Sequence, residues 1–400
     1  RQELALSRLQ RAEGPDAWLD LQARVKAHGQ RAFFALVRAR TVVRAGGALP
    51  PPFGLGWQNS LIKLHPDDER VNLWGPLAFS AARDEWESAQ LVLMPLGDAV
   101  RIESVTLGPL RNRESGAILP TDTARIWRVG YVQTRPPVYP VEYVGEWPDP
   151  LLPLEPFDLV PGRLQPLWIS LYVPPDALPG LYCGEITVID DGGRQASWPV
   201  QLNVWDLTLP RPSRLQTAFS ILQRHDAALW YGYEGLPPQK FRRKFHMLML
   251  EHRLNPMSLY TSEMWPPRED LEWCIEKGLN AFNLRTVNSD EPEVLDYVRE
   301  QAAWLGERGW LPLAFVYGFD EVQPQAYEDL KRAFAAVKTA VPGLRRVCTV
   351  TPNPQLEGSV DIWVPLTAAY DHRAAEARRA AGDEVWWYIC CGPWHPYCNW

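Results

Sequence analysis

The spacing of apolar residues changes along the chain and separates three segments. Over residues 1–50, apolar positions recur at helical spacing, as at Trp18, Leu21 and Val25, and the pair Gly46–Gly47 ends the run. We therefore expect a helical N-terminal segment over residues 1–50.

Residues 51–213 show a different pattern, in which apolar and polar residues alternate with a period near two. Segments 100–105 and 168–173 alternate in this way, and turns rich in Pro and Gly separate such segments. A hairpin is predicted where 185–189 returns through 198–202 across an Asp-Asp-Gly-Gly turn. Short strands without a helical period are typical of an antiparallel β-sandwich.

After a proline-rich linker, residues 214–400 alternate apolar strands with amphipathic helices. Seven strands are predicted, at 217–221, 255–260, 281–286, 312–319, 345–351, 361–369 and 384–390. Alternating units of this length build a parallel sheet, and seven in series favour a (β/α)₈ TIM-type barrel. An open doubly wound sheet is the structural alternative.

The length of this third segment and the ends of the chain indicate a fragment. A typical barrel has roughly 250 residues, more than 214–400 provides, so we expect the barrel to be truncated before its eighth unit. The chain begins at Arg1 rather than Met, shows no signal peptide, and ends at Trp400 within an aromatic stretch. Neither the compartment nor the oligomeric state is predicted.

Composition narrows the classes of protein further. The chain has 400 residues and a formal net charge of −7, and no apolar run reaches the roughly 18 residues that a membrane span needs. Its basic residues are scattered, which argues against nucleic-acid binding because phosphate contacts require clustered Lys and Arg. The 38 Pro and 19 Trp residues indicate stiff loops and flat apolar surfaces, a combination that favours a carbohydrate ligand.

The foremost candidate for chemistry is the carboxylate pair Asp320–Glu321, which ends the fourth strand predicted in the third segment. Functional groups of a barrel gather at the carboxyl ends of its strands. Taken alone, an acidic pair before a helix more often complements the helix dipole, and neighbours in a strand point to opposite faces. Where the strand ends, however, loop dihedrals allow both side chains to face one opening.

Adjacent carboxylates suit one glycosidase mechanism in particular. Ordinary glycosidases place two carboxylates on opposite sides of the scissile bond. In the substrate-assisted variant, the 2-acetamido oxygen of the sugar attacks the anomeric carbon. The protein then needs an acid for the leaving oxygen, for which Glu321 is the candidate, and a carboxylate that orients the acetamido group, for which Asp320 is the candidate.

Motifs in the second segment and the strand ending in Asp320–Glu321 together carry a resemblance to a known family. The motifs are AARDEWESAQ at 81–90, VPPDALPGLYCG at 173–184 and VWDLTLP at 204–210. Over about residues 70–400 the chain resembles glycoside hydrolase family 123 and the larger, largely uncharacterised family related to it.

This resemblance implies an N-terminal β-sandwich followed by a catalytic barrel, and β-N-acetylgalactosaminidase activity. It also implies the substrate-assisted, retaining route for Asp320 and Glu321. We therefore expect an enzyme that removes a terminal β-linked N-acetylhexosamine, in particular N-acetylgalactosamine, from a glycan or glycoconjugate substrate.

Further residues at predicted strand ends are candidates for substrate binding, because a sugar subsite needs aromatic platforms and hydrogen-bond donors. They are Tyr317, Arg285, Tyr370, Trp387 and Trp394. Tyr370 is the candidate donor to the acetamido carbonyl, and Tyr317 and Arg285 are candidates for contacts with sugar hydroxyls. Packing in the barrel or lining of its mouth is the alternative role for each of them.

No cofactor and no metal site is predicted. Cys390, Cys391, His395 and Cys398 lie close together in the sequence, but their spacing fits no zinc motif, which favours buried thiols. The sequence also contains no G-x-S-x-G nucleophile elbow, no complete dinucleotide fingerprint and no phosphate loop.

Two other functions stay open at this point. A glycosidase of different specificity would combine Asp320 or Glu321 with a distant carboxylate such as Asp371. A non-catalytic carbohydrate-binding protein would instead hold glycan on the sandwich or on the Trp-rich strand ends.

Overall fold

The computed structural model describes residues 15–120, 122, 124–138, 141, 143–220 and 231–390, with the side chains of 15–22 left aside. The chain divides into two compact units, Arg1–Leu209 and Pro210–Trp400. Each unit has its own hydrophobic core. No helix within the described ranges is both long enough and apolar enough to cross a lipid bilayer.

The described part of the first unit holds one long helix followed by strands. The helix is α1 (Pro15–Arg44). The strands are β1 (Phe53–Asn59), β2 (Leu77–Arg83), β3 (Glu85–Pro95), β4 (Val100–Leu107), β5 (Leu110–Asn112), β6 (Ile118–Leu119), β7 (Ala124–Gln133), β8 (Glu146–Pro153), β9 (Phe157–Leu159), β10 (Gln165–Val173), β11 (Gly180–Asp190) and β12 (Gln195–Thr208).

These strands form two sheets that share one core. One sheet has the order β1-β3-β10-β7-β8 and is antiparallel throughout. The other has the order β2-β12-β11-β4-β9, with β5 and β6 beside β11, and only its β2–β12 pair is parallel. The predicted hairpin is confirmed, since β11 and β12 pair from Ile189–Gln195 onward. Apolar side chains of both sheets alternate inward, so the unit is a β-sandwich.

Helix α1 packs on the outer face of the first sheet. Its residue Val37 is 1 % exposed and joins a small cluster with Leu64, Val92 and Met94. A Cβ atom at Gly54 of β1 would lie 2.2 Å from Cγ1 of Val37. Glycine at this position therefore allows the helix to approach the strand closely.

The described part of the second unit alternates short strands with helices. The helices are α2 (Gln239–Glu251), α3 (Arg268–Glu276), α4 (Pro292–Gly306), α5 (Tyr327–Ala340) and α6 (His372–Ala380). The strands are β13 (Phe219–Ser220), β14 (Pro256–Met257), β15 (Phe282–Thr286), β16 (Ala314–Tyr317), β17 (Arg345–Cys348), β18 (Ile362–Trp363) and β19 (Glu384–Val385).

The strands of the second unit form two separate parallel sheets. β15 to β19 pair in sequential order, whereas β13 pairs only with β14 among the described strands. The side chain of Asn283 on β15 bridges this interruption, because its amide nitrogen donates to the carbonyl oxygens of Ser258 (3.0 Å) and Leu259 (2.9 Å). Its oxygen accepts a 3.0 Å bond from the backbone N–H of Tyr317.

The predicted (β/α)₈ barrel is wrong, because β15 to β19 form only a curled, open half-barrel sheet and β13 and β14 form a separate pair. Each of the seven predicted strand ranges contains an observed strand, but β13, β14, β18 and β19 have only two residues each. Hydrogen bonds of the Asn283 side chain replace a backbone hydrogen-bond ladder between β14 and β15. No described pairing joins β13 to β19. The sequential strand order also lacks the reversal of a doubly wound sheet.

Candidate functional site

Strand β16 ends in a tight turn that presents Asp320 and Glu321. All four residues of β16 are buried, and Gly318 follows directly. A Cβ atom at Gly318 would lie 1.9 Å from the backbone oxygen of Val287, so only glycine fits there. The turn then uses left-handed backbone at Phe319 (φ 54°) and Glu321 (φ 46°). Non-glycine residues rarely adopt this conformation, and such strain is concentrated at functional sites.

Two side chains hold this strained turn in place. The backbone N–H of Phe319 donates to Oδ1 of Asn288 at 2.7 Å. The backbone N–H of Glu321 donates to Oγ1 of Thr349 at 2.7 Å. Because Thr349 directly follows β17, the turn is tied to the carboxyl end of the neighbouring strand.

Three hydroxyl groups donate to the carboxylate of Asp320. Oδ1 accepts from the phenol of Tyr317 and from Oγ1 of Thr349 (2.8 Å), and Oδ2 accepts from the phenol of Tyr260 (3.0 Å). The Tyr260 and Tyr317 rings meet edge to face at 5.7 Å. Burial acts to raise the pKa of Asp320, but the donors Tyr317, Thr349 and Tyr260 outweigh it and the pKa is lowered overall. Asp320 is therefore a fixed anion.

Glu321 lies in a different environment from Asp320. Both residues are exposed, but the Glu321 carboxyl group accepts only one described hydrogen bond, to its Oε1 from the phenol of Tyr388 at 2.6 Å. Burial and the bond to Glu321 both raise the pKa of Tyr388, so this phenol stays a neutral donor. A carboxyl group with one donor and access to solvent is free to exchange protons with a bound molecule.

The structure brings only part of the predicted site together. Tyr317 contacts Asp320, as described above, whereas Arg285 turns to helix α4. The Arg285 guanidinium lies 5.2 Å from the Tyr297 ring, and its Nε donates to the carbonyl of Thr286 at 3.3 Å. Burial lowers the pKa of Arg285. These described contacts do not include either carboxylate.

For the other candidates for substrate contact, the described contacts do not include the pair, or the residue lies beyond the described ranges. Tyr370 accepts a hydrogen bond from Arg379 and packs against His372 at 5.1 Å. Trp387 is 59 % exposed, while its neighbours in the sequence pack against the core of the second unit. Trp394 lies outside the residues that the structure describes.

The alternative carboxylate Asp371 has a local structural role. Its Oδ1 accepts the backbone N–H groups of Arg373 (2.8 Å) and Ala374 (3.2 Å) at the start of α6. Asp371 is therefore the N-cap residue of this helix.

Sequence reasoning did not predict that Tyr260, Thr349 and Tyr388 contact the pair. A signal for all three was available, because each lies at or near the carboxyl end of a predicted strand. In a parallel sheet these ends share one edge, so a polar or phenolic side chain at each of them is a candidate for the same site.

The described residues include no group of three or more His, Cys, Asp or Glu side chains that could hold a metal ion. What they do provide is an anion with three donors beside a carboxyl group with a single donor. The first can stabilise positive charge or orient an N–H group, and the second can transfer a proton.

Comparison with known proteins gives a structural match without a match in sequence. No protein-family model matches the chain, and no curated protein matches it significantly. A family 123 glycoside hydrolase from Clostridium perfringens, solved in a study of glycolipid glycan hydrolysis, has a similar structure, with a TM-score of 0.62 and 14 % sequence identity. The match covers 86 % of this chain and 73 % of that one.

Two further solved structures match the chain weakly. A PapD-like domain of human CEP192 matches with a TM-score of 0.23 and 12 % identity, over 41 % of this chain and 93 % of that one. A FixG-related protein from Vibrio parahaemolyticus gives a TM-score of 0.21 and 10 % identity, over 39 % of this chain and 99 % of that one. The chain thus shares its fold with the clostridial family 123 glycoside hydrolase, at a sequence identity that shows the fold alone.

Proposed function

We propose that this protein is a glycoside hydrolase that removes a terminal β-linked N-acetylhexosamine, in particular N-acetylgalactosamine, with retention of configuration. The observation that carries the proposal is the contrast between two consecutive carboxyl groups. The Asp320 carboxylate has three hydroxyl donors and a lowered pKa, whereas the Glu321 carboxyl group has one described donor.

Asp320 is proposed to orient the 2-acetamido group of the sugar. A carboxylate has about four acceptor positions, and the three hydroxyl donors leave one for the acetamido N–H. When the acetamido oxygen attacks the anomeric carbon, positive charge develops on the acetamido group. An anion that is already fixed stabilises this charge without reorganisation.

Glu321 is proposed as the acid and then the base. In the first step it donates its proton to the glycosidic oxygen as the bond from that oxygen to the anomeric carbon breaks. In the second step it removes a proton from water, which attacks the anomeric carbon and restores the acetamido group. Two inversions at one carbon give net retention. The Tyr388 phenol positions the Glu321 carboxyl group through its 2.6 Å bond.

The fold shared with the clostridial enzyme supports a glycosidase in general. Hydrolysis of glycolipid glycans is described for the clostridial protein. That this chain has such an activity is part of the proposal. The N-acetylhexosamine specificity and the substrate-assisted route rest on the paired carboxylates and on the family resemblance of the sequence.

The test uses aryl β-N-acetylgalactosaminide and β-N-acetylglucosaminide with Glu321→Gln, Asp320→Asn and, as a control, Asp371→Asn. We expect kcat to fall by about 10²-fold or more in the first two variants. Glu321→Gln should keep most activity on substrates with good leaving groups, which need no acid. Asp371→Asn should retain activity, because Asn also caps helices well.

Unchanged turnover in both site variants would refute the mechanism. A large loss in Asp371→Asn and in only one of the two site variants would favour a glycosidase that combines Asp320 or Glu321 with a distant carboxylate. Glycan binding that survives both site substitutions, with no hydrolysis by the unmodified protein, would favour a carbohydrate-binding protein.

A further inference from the structure

We propose that the first unit contains an anion site in which Arg40, Arg44 and the indole N–H of Trp198 bind a phosphate or sulfate monoester. The three side chains line one cavity of about 510 Å³, between the end of α1 and residues 195–199 at the start of β12. This site lies entirely within the first unit and does not depend on the proposed glycosidase activity.

The cavity contains two cationic groups without a described acidic partner. The Arg44 guanidinium stacks on the Trp198 ring at 4.0 Å, and that of Arg40 lies 4.0 Å from the Trp74 ring and 4.9 Å from Trp198. Burial, and then repulsion by Arg44, lower the pKa of Arg40 to about 10. Like charges four residues apart on a helix destabilise it, so an anion between them would relieve this cost.

Two residues that line this cavity, Arg40 and Trp198, also carry buried donors without a described partner. Nε and Nη1 of Arg40 are buried and form no hydrogen bond within the described structure. Trp198 is 1 % exposed, and its Nε1 likewise has no partner there. Buried polar groups are nearly always hydrogen-bonded. Three unpaired nitrogen donors on residues that line one cavity therefore indicate a common acceptor.

The chemistry of the cavity defines the class of ligand. Guanidinium groups bind phosphate and similar oxyanions through paired N–H donors. The remaining walls are largely apolar and include Leu49, Phe53 and Leu55. The cavity volume falls in the range of about 300–1,000 Å³ that is common for small-molecule sites. We therefore expect an oxyanion attached to an organic body rather than a bare ion.

The test measures binding of phenyl phosphate, phenyl sulfate and inorganic phosphate to the whole chain, by calorimetry and by thermal unfolding at constant ionic strength. At least one phenyl ester should bind saturably and raise Tm. Arg40→Gln and Arg44→Gln should each weaken this binding by about tenfold or more, the effect of losing one charge-assisted hydrogen bond. The control Arg31→Gln removes the same charge from an exposed position on α1 outside this cavity and should bind as the unmodified protein does.

The absence of saturable binding to the unmodified protein would overturn the proposal, as would equal affinities in the cavity variants and the control. Inorganic phosphate binding as tightly as phenyl phosphate would overturn the inference of an organic body. If Arg40→Gln does not fold, Arg44→Gln carries the test, because Arg44 is exposed. Glycosidase activity is not part of the readout, so failure here and failure of the proposed function are distinguishable.

Discussion

The difference between Asp320 and Glu321 is set by hydroxyl groups from neighbouring strand ends. Tyr317, Thr349 and Tyr260 donate to the Asp320 carboxylate, and Tyr388 alone among the described residues donates to the Glu321 carboxyl group. Two chemically similar groups on consecutive, exposed residues thereby differ in their hydrogen bonding. Such divergence of environment is how acid and base roles are assigned within one site.

Replacing Tyr317 by Phe tests this assignment through the pH dependence of kcat/KM. Tyr317 is a major hydroxyl donor that lowers the pKa of Asp320, so its loss should raise that pKa. Since the mechanism requires ionised Asp320, the acid limb of the pH profile should move to higher pH. Tyr370→Phe, which leaves the donors to Asp320 unchanged, is the control. An acid limb that stays in place in Tyr317→Phe would contradict the role of Asp320 as a fixed anion.

At the residue scale, sequence analysis named Asp320, Glu321 and Tyr317 as candidates but did not predict the other hydroxyl partners of the pair. Asp320 and Glu321 are conspicuous because an apolar strand ends in two acidic residues. Arg285 is also at a strand end, yet the structure pairs it with Tyr297, since a long side chain can reach several neighbours. Tyr388 contacts Glu321, whereas its neighbour Trp387 is exposed. Which of two adjacent residues faces the site depends on the local strand conformation, and composition does not determine that conformation.

The carboxyl end of β16 is the element that positions the pair. Gly318→Ala would place a Cβ atom 1.9 Å from the backbone oxygen of Val287. A backbone atom cannot move away without distorting the neighbouring strand end. We expect a loss of about 2 kcal/mol or more in the free energy of unfolding, measured by urea denaturation. Activity should fall with it, because the turn that carries Asp320 must shift.

Gly306→Ala at the end of α4 is the matched control for this substitution. A Cβ atom at Gly306 meets no heavy atom within 4 Å, so its unfolding free energy should change by less than about 1 kcal/mol. Equal effects of the two substitutions would show that close packing at Gly318 does not constrain the turn.

At the element scale, the apolar pattern located strands more reliably than it predicted their assembly. Every predicted strand of the second unit contains an observed one, because apolar runs bounded by turns are a local signal. Sheet closure depends on pairing between distant strands. Here Asn283 binds the carbonyls of Ser258 and Leu259 through its side chain, and a buried asparagine with this role is not recognisable from periodicity.

At the scale of the whole molecule, each unit has its own hydrophobic core, so a change of pH can lower the stability of one unit more than that of the other. Burial, followed by Arg242 and Arg243, lowers the pKa of His246 from 6.5 to about 4, although Asp270 opposes this. The unfolded chain therefore binds the proton first as pH falls below 6.5. Stability from neutral His246 is present above pH 6.5 and is lost as pH falls toward 4.

This linkage predicts a loss of about 2 kcal/mol in the free energy of unfolding of the second unit between pH 7 and pH 5. His246→Phe should remove this part of the pH dependence, because phenylalanine binds no proton; the variant also loses the 3.6 Å contact between Nδ1 of His246 and Sγ of Cys274. His252→Gln, at an exposed position just after α2, should keep it. Urea unfolding at pH 5, 6 and 7 measures the effect, and an identical pH dependence in all three proteins would contradict it.

The most direct test of the central claim compares two aryl glycosides that differ only at C2 of the sugar. If the acetamido group is the nucleophile and Asp320 orients it, the whole chain should hydrolyse the aryl β-N-acetylgalactosaminide. With the 2-hydroxy analogue, aryl β-galactoside, kcat/KM should fall by about 10³-fold or more, as expected when the group that supplies proximity is absent. Comparable hydrolysis of both glycosides would contradict the substrate-assisted mechanism.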